Sequence, residues 1–230
     1  MELERVDTQR AYELIWQKIT TLELIPGSAI NEQQLAEELD MGLVPVREAL
    51  KLLVHDGLVV LTPRHGPYVA DLNIPELEQL SEMRLSLESL CARLAAQRAT
   101  PDDLAVLEAL RQEAANLYRQ ISASSGQNGS VQFMDVSRRL FDVDHKFHQA
   151  IARAAHNKYM ARTLDQFFGL SQRLWYLALP HLDFLPAAVE EHLALVEAIK
   201  GGDADRAEQI MRHHVQDFYN KVQEILAAQQ

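Results

Sequence analysis

Apolar residues recur every three or four positions over most of this chain, and strand-like character is confined to one short stretch between Leu58 and Ala70. The first pattern belongs to helices with one buried face, the second to strands. Ahead of the strands, Arg10 to Leu24 reads as an amphipathic helix closed by Pro26-Gly27. Asn31 then stands where it can cap a short helix carrying Leu35, Ala36 and Leu39, with Gln34 in the reciprocal position of a capping box. A tight connection, Asp40-Met41-Gly42, leads into a helix from Leu43 to Leu53, with Pro45 in the first turn, where a missing amide hydrogen is harmless. Gly57 to Thr62 and Pro67 to Ala70 flank Pro63-Arg64-His65-Gly66 as a hairpin. Two helices joined by a tight turn and followed by a hairpin predict a winged helix-turn-helix. In that arrangement the second helix enters a DNA major groove and the wing touches an adjacent phosphate or the minor groove.

Beyond Pro75 the period is helical throughout, with helices expected near 76–98, 101–121, 131–155, 158–179, 186–200 and 203–227. Thr100-Pro101-Asp102 starts one of them, Pro180 and Pro186 bracket a connection, and Gly201-Gly202-Asp203 ends one helix and caps the next. Ser122 to Ser130, rich in Gly, Ser and Asn, reads as a mobile loop. The fold class is therefore mainly α: an N-terminal winged helix-turn-helix followed by an all-α antiparallel bundle of about six helices. The expected division is a DNA-binding domain over 1–72, a linker over 73–78, and a helical metal- and effector-binding domain over 79–230.

Composition narrows the picture. A hydrophobic share of 47% and a charged share of 24% are ordinary for a globular protein. The start Met-Glu-Leu-Glu-Arg lacks the features of a signal peptide, and no apolar stretch suits a membrane span, so the expected location is cytoplasmic, with no membrane partner. Cys91 is the single cysteine and lies in an apolar helical pattern, which predicts packing rather than redox chemistry. A net charge of -11 argues against indiscriminate nucleic-acid binding while leaving room for a local basic surface.

Four polar residues stand out against this background. Asp144 and His148 are four apart, so they share a helix face. His192 lies nine residues before Gly201 and His214 eleven after Asp203, which brings both to a similar height in an antiparallel pair. Apolar neighbours Phe147, Ile151, Leu195, Ile199, Ile210 and Val215 turn these positions inward. Burying several ionisable groups without a counter-charge costs several kcal/mol, and one shared metal ion removes that cost. One carboxylate with three imidazoles suits a divalent transition metal, one per chain, better than calcium: zinc or nickel first, then manganese or iron. Open positions on such an ion would accept a small organic acid. His145, His156, His181 and His213 lack comparable support and read as surface or turn residues.

The ordered motifs resemble a known family. Pro26-Gly27 through Leu39, Pro45-Val46-Arg47-Glu48-Ala49-Leu50, and Gly57-Leu58-Val59 before His65-Gly66 look like the GntR family of bacterial transcription regulators. Glu82-Met83-Arg84 with Glu88, Asp144-His145-Lys146-Phe147-His148, Asn157, Glu191-His192, Gly202-Asp203 and Met211-Arg212-His213-His214 resemble its FadR-like subfamily, which carries an all-helical FCD domain. The resemblance implies a metal at Asp144, His148, His192 and His214. It also implies that Arg84 points into the cavity to pair with an effector carboxylate; the competing reading is a surface pair with Glu88. Arg173, beside Trp175 and Tyr176, is a second effector candidate.

This chain also departs from the family pattern. Gly42-Leu43-Val44 stands where members commonly show Ser-Arg-Thr, and Gln33 stands where they show arginine. The expected DNA contacts are accordingly Gln33, Val44, Arg47, Lys51, Arg64, His65 and Gly66, with an operator unlike the usual family sequence. The alternative for Arg47 is a salt bridge to Glu48 or another neighbour. The predicted function is a homodimeric regulator of an inverted-repeat operator, switched by a metal-anchored organic acid that alters the spacing or freedom of its two heads. The alternatives are a regulator for which the ion itself is the signal, a metal-dependent hydrolase, and a regulator that has lost sequence-specific DNA binding.

Overall fold

The computed structural model describes residues 2–63, 65–71, 74–123, 131–178 and 185–228. Among them are nine helices and one hairpin: α1 (Glu2–Thr20), α2 (Glu32–Glu38), α3 (Leu43–His55), β1 (Val59–Thr62), β2 (Gly66–Val69), α4 (Ile74–Arg98), α5 (Pro101–Ala123), α6 (Val131–Ala154), α7 (Lys158–Ala178), α8 (Leu185–Lys200) and α9 (Ala204–Ala228). The chain forms two compact units: Met1–Leu77 with Gly169–Tyr176, and Glu78–Phe168 with Leu177–Gln230.

In the first unit, α1 and α2 pack on α3, and α3 packs on β1. Its core gathers Ile15, Ile19, Leu35, Val46, Leu50, Leu53, Leu58 and Val69. The turn between α2 and α3 closes through Asp40 at φ 50, a left-handed conformation that a short polar side chain tolerates. Met41 N then donates to the Ala36 carbonyl at 3.0 Å. The hairpin is antiparallel, running from Val59 opposite Val69 to Thr62 opposite Gly66. A third extended segment joins it: Ala29 bridges to Tyr68, Ile30 N donates to the Pro67 carbonyl at 2.8 Å, and Val69 N donates to the Ser28 carbonyl at 2.9 Å. Gly27, at φ 76, makes the approach possible; a Cβ there would lie 2.6 Å from Asp71 Oδ1.

Two local expectations change. Asn31 does cap α2, accepting from Gln33 N and Gln34 N at 3.1 Å each. The Gln34 amide, however, runs forward to Glu38 Oε1 at 3.1 Å instead of returning to Asn31, because a carboxylate one turn on is a stronger acceptor. The reciprocal box forms at α5, where Thr100 Oγ1 accepts from Asp103 N at 3.2 Å and Asp103 Oδ2 accepts from Thr100 N at 2.8 Å. The first helix also begins at Glu2, ahead of the expected Arg10, and ends at Thr20. The segment before Arg10 holds helix formers but too few apolar positions to show a period.

The second unit is all helical. Helix α5 packs on α6 and α8, and α8 packs on α9. Leu107, Leu117, Phe147, Ile151, Leu164, Leu195 and Met211 are the largest of its fully buried apolar side chains among the described residues. The α8–α9 turn is tight: Gly202 takes φ 72, Asp203 N donates to the Ala198 carbonyl at 2.9 Å, and Asp203 Oδ1 accepts from Arg206 N at 3.2 Å. That turn sets the register of the two helices carrying His192 and His214. Ser122 belongs to the last turn of α5, whereas most of the loop expected over Ser122 to Ser130, along with Pro180 and His181, lies outside the described residues. No described helix is long and apolar enough to cross a membrane.

Candidate metal centre and nucleic-acid interface

Helix α6 carries Asp144 and His148 on one face, α8 carries His192, and α9 carries His214; one ligand atom from each lies within 4.8 Å of all the others. All four are buried. His192 Nε2 is 3.2 Å from Asp144 Oδ1, His148 Nε2 is 3.8 Å from Asp144 Oδ2, and the Nε2 atoms of His148 and His214 face each other at 3.1 Å. Donors about 2.0–2.2 Å from a common ion stand about 3.0–3.6 Å apart, so the 3.1 and 3.2 Å spacings suit one coordination sphere and the 3.8 Å one is slightly wide of it.

The donor set also has the right electronic state for a cation. His148 Nδ1 meets Glu88 Oε2, and His214 Nδ1 meets Glu191 Oε2 at 2.7 Å. A carboxylate only accepts, so each Nδ1 carries a hydrogen. In the neutral imidazoles the two facing Nε2 atoms are then lone pairs turned toward each other. His192 Nε2 is buried and, despite its nearness to Asp144, makes no hydrogen bond of acceptable direction. With neutral imidazoles, Asp144, Glu88 and Glu191 against Arg84 leave a surplus of two negative charges around the cluster. Burial alone would raise the Asp144 carboxyl; the attraction of His148, His192 and His214 reverses this and holds it well below the usual carboxylate range.

Arg84 lies at the edge of this cluster. Its Nε donates to Glu88 Oε1, and its guanidinium sits over the rings of Phe168 at 4.9 Å and Tyr219 at 5.7 Å. The pairing with Glu88 is therefore present, but in the interior: Arg84 is 3% exposed, and its Nη1 has no hydrogen-bond partner. Burial raises the Glu88 carboxyl, but Arg84 and His148 outweigh it and hold the group down at about 2.

The remaining candidates separate. Arg173 is buried in the first unit, where Nη1 donates to the Ala70 carbonyl at 2.7 Å. His145 departs from its expected surface position: it is half-buried, its ring edge meets Phe168 at 5.0 Å, and burial together with the Arg84 and His148 charges pushes its pKa down to about 4. Two imidazole-to-carboxylate contacts escaped sequence reasoning altogether. Glu88 is 60 residues from His148, and Glu191 is 23 from His214, so no local spacing signals either. His213 is exposed beside Asp217 at 3.2 Å, and His156 occupies a turn at φ 49 with Asp103 at 2.9 Å, both as expected.

On the first unit, Gln33, Val44, Arg47, Lys51 and His65 are all exposed, and Gly66 begins β2 at φ 82. Arg64 lies outside the described residues. Val44 is 66% exposed on the first turn of α3, an apolar side chain with no core to join. Arg47 Nε pairs with Glu32 Oε2 of α2 at 2.7 Å, rather than with the neighbouring Glu48, which Lys51 takes at 2.6 Å.

Winged head and helical body together define a transcription regulator, and the chain belongs to the bacterial regulatory proteins of the gntR family. Residues 7–69 match that family and residues 79–217 match the FCD domain. It is 25% identical over 217 residues to the HTH-type transcriptional repressor RspR of Escherichia coli (strain K12), covering 94% of this chain and 89% of that protein. Identity reaches 30% over 226 residues with an HTH-type transcriptional regulator in an unstable DNA locus of Streptomyces ambofaciens, covering 97% and 88%. The structure of E. coli McbR/YncC shares the fold, with a TM-score of 0.79 at 20% identity over 95% of this chain and 97% of that one. These relatives are transcription regulators and not enzymes, which removes the hydrolase alternative.

Proposed function

We propose that this regulator holds one divalent transition metal, zinc or nickel, through Asp144, His148, His192 and His214, and recognises a small organic acid there with Arg84. The facing Nε2 atoms of His148 and His214 carry this reading: with both Nδ1 atoms committed to carboxylates, a shared cation relieves their opposition. When bound, such an ion supplies positive charge and open positions for a carboxylate. The unpartnered Arg84 Nη1 supplies a buried donor for the same anion. Residues 1–72 act as the reader and 79–230 as the effector-binding body of a homodimer; of the expected linker 73–78, residues 74–78 are already the start of α4. Gln33, Val44, Arg47, Lys51, Arg64, His65 and Gly66 contact an inverted-repeat operator.

Operator fragments selected from a random duplex pool, titrated with zinc-loaded protein and a panel of small mono-, di- and tricarboxylic acids, test the reading. At least one acid is expected to shift operator affinity about 5–150-fold, the range of ordinary allosteric coupling. Arg84→Lys, which keeps the charge and loses the planar fork, is expected to weaken that shift. No shift with any acid on the metal-replete protein would remove the organic-acid effector.

A further inference from the structure

Three imidazoles converge on the candidate metal site, and they are held in different ways. His192 is stacked on Phe147, with ring centroids 4.2 Å apart and planes 27° off parallel. His148 and His214 each direct Nδ1 at a carboxylate that is not itself part of the four-residue cluster. Those carboxylates come from separate elements, Glu88 from α4 and Glu191 from α8. Glu191 is the immediate neighbour of His192, so α8 supplies both an inward imidazole and the group that fixes the imidazole of α9.

We propose that Glu88 and Glu191 are positioning residues of the metal centre, fixing His148 and His214 as Nε2 donors and making them more basic. The inference rests on the metal reading above. An imidazole has two nitrogens of nearly equal basicity, and without a partner its hydrogen would occupy either one. A carboxylate at Nδ1 fixes the hydrogen there, orients the ring and adds electron density to Nε2. Glu88 has a second task, because its Oε1 accepts from Arg84 while its Oε2 accepts from His148. One carboxylate thus joins the arginine assigned to the effector to a metal-binding imidazole. Recruiting Arg84 to an effector anion draws on the same charge that polarises His148, which makes effector and metal affinities interdependent. Glu191 accepts from His214, with the exposed His213 3.9 Å from its other oxygen.

The test uses the full chain, zinc alone as the probe, and the variants Glu191→Ala, Glu191→Gln, Glu88→Gln and, as a control, the exposed neighbour Glu190→Ala. Zinc Kd is measured by competition with a chromogenic chelator, and imidazole tautomers by nitrogen-detected NMR of the metal-free protein. Glu191→Ala is expected to raise the Kd about 10–100-fold and to move the His214 hydrogen partly from Nδ1 to Nε2, a redistribution that loss of packing alone would not cause. Glu88→Gln is expected to do the same to the Kd through His148, and Glu190→Ala to change neither readout. If Glu191→Ala does not fold, Glu191→Gln, which keeps the shape and removes the charge, carries the same expectation for the Kd. Unchanged zinc affinity in the folded Glu191 and Glu88 variants, with a parent that binds zinc, would overturn the positioning role. A parent that binds no zinc would overturn the metal reading, and the positioning role with it.

Discussion

The two units treat charge in opposite ways. On the reading head, Arg47 with Glu32 and Lys51 with Glu48 lie at the surface, where an ion pair is worth only about 0–1 kcal/mol and exchanges readily for a phosphate. In the helical body, Arg84, Glu88, Asp144 and three histidines are withdrawn from water, where a charge deprived of its partner costs several kcal/mol. The difference suits the proposed function, a reversible grip on DNA and a specific one on a small ligand. On that proposal, surface pairs set affinity for DNA and its salt dependence, whereas the buried cluster takes a cation and selects which anion enters.

The contrast predicts effects of graded size. Glu88→Ala leaves Arg84 buried without its carboxylate and should cost about 3–5 kcal/mol in urea unfolding; a loss no larger than a surface pair's would break the distinction. Zinc at about a hundred times its Kd should add about 2.7 kcal/mol of stability, read as a rise in melting temperature that chelator reverses. Arg47→Ala should lower operator affinity by about 1–3 kcal/mol if this side chain reads a base. Glu32→Gln should instead raise operator affinity, by at most about fivefold, because it frees Arg47 from an exposed competitor. Weaker DNA binding by Glu32→Gln would show that the pair orders Arg47 rather than competing for it. Cys91 should show no effect: burial, with the Glu88 charge adding to it, pushes its thiol up to about 12. Iodoacetamide should therefore label it only after unfolding, and labelling of the native protein would contradict the packing described.

Much of this contrast was legible in the sequence wherever it depended on local spacing. Asp144 and His148 declared themselves by their four-residue interval, and the Gly201-Gly202-Asp203 turn fixed the register of His192 and His214. Val44 and Gln33 were visible as departures because they replace residues at fixed positions in a motif. What escaped depends on partners brought together only by packing. Glu88 on His148 and Glu191 on His214 join separate helices. Arg47 finds Glu32 fifteen residues away because α2 crosses near the start of α3. The extended segment at Ser28 to Ile30 contains no alternating pattern, since its pairing is backbone to backbone with β2. His145 lacks apolar support in its own stretch of sequence and reads as outward, yet it lies against Phe168 of another helix.

The most direct test of the central claim is elemental analysis of the purified chain beside an Asp144→Ala/His192→Ala double variant, both dialysed without chelator and both checked by circular dichroism. The account predicts about one transition-metal ion per chain in the parent and none in the folded variant. A parent that retains no metal even after reloading with zinc or nickel would contradict it.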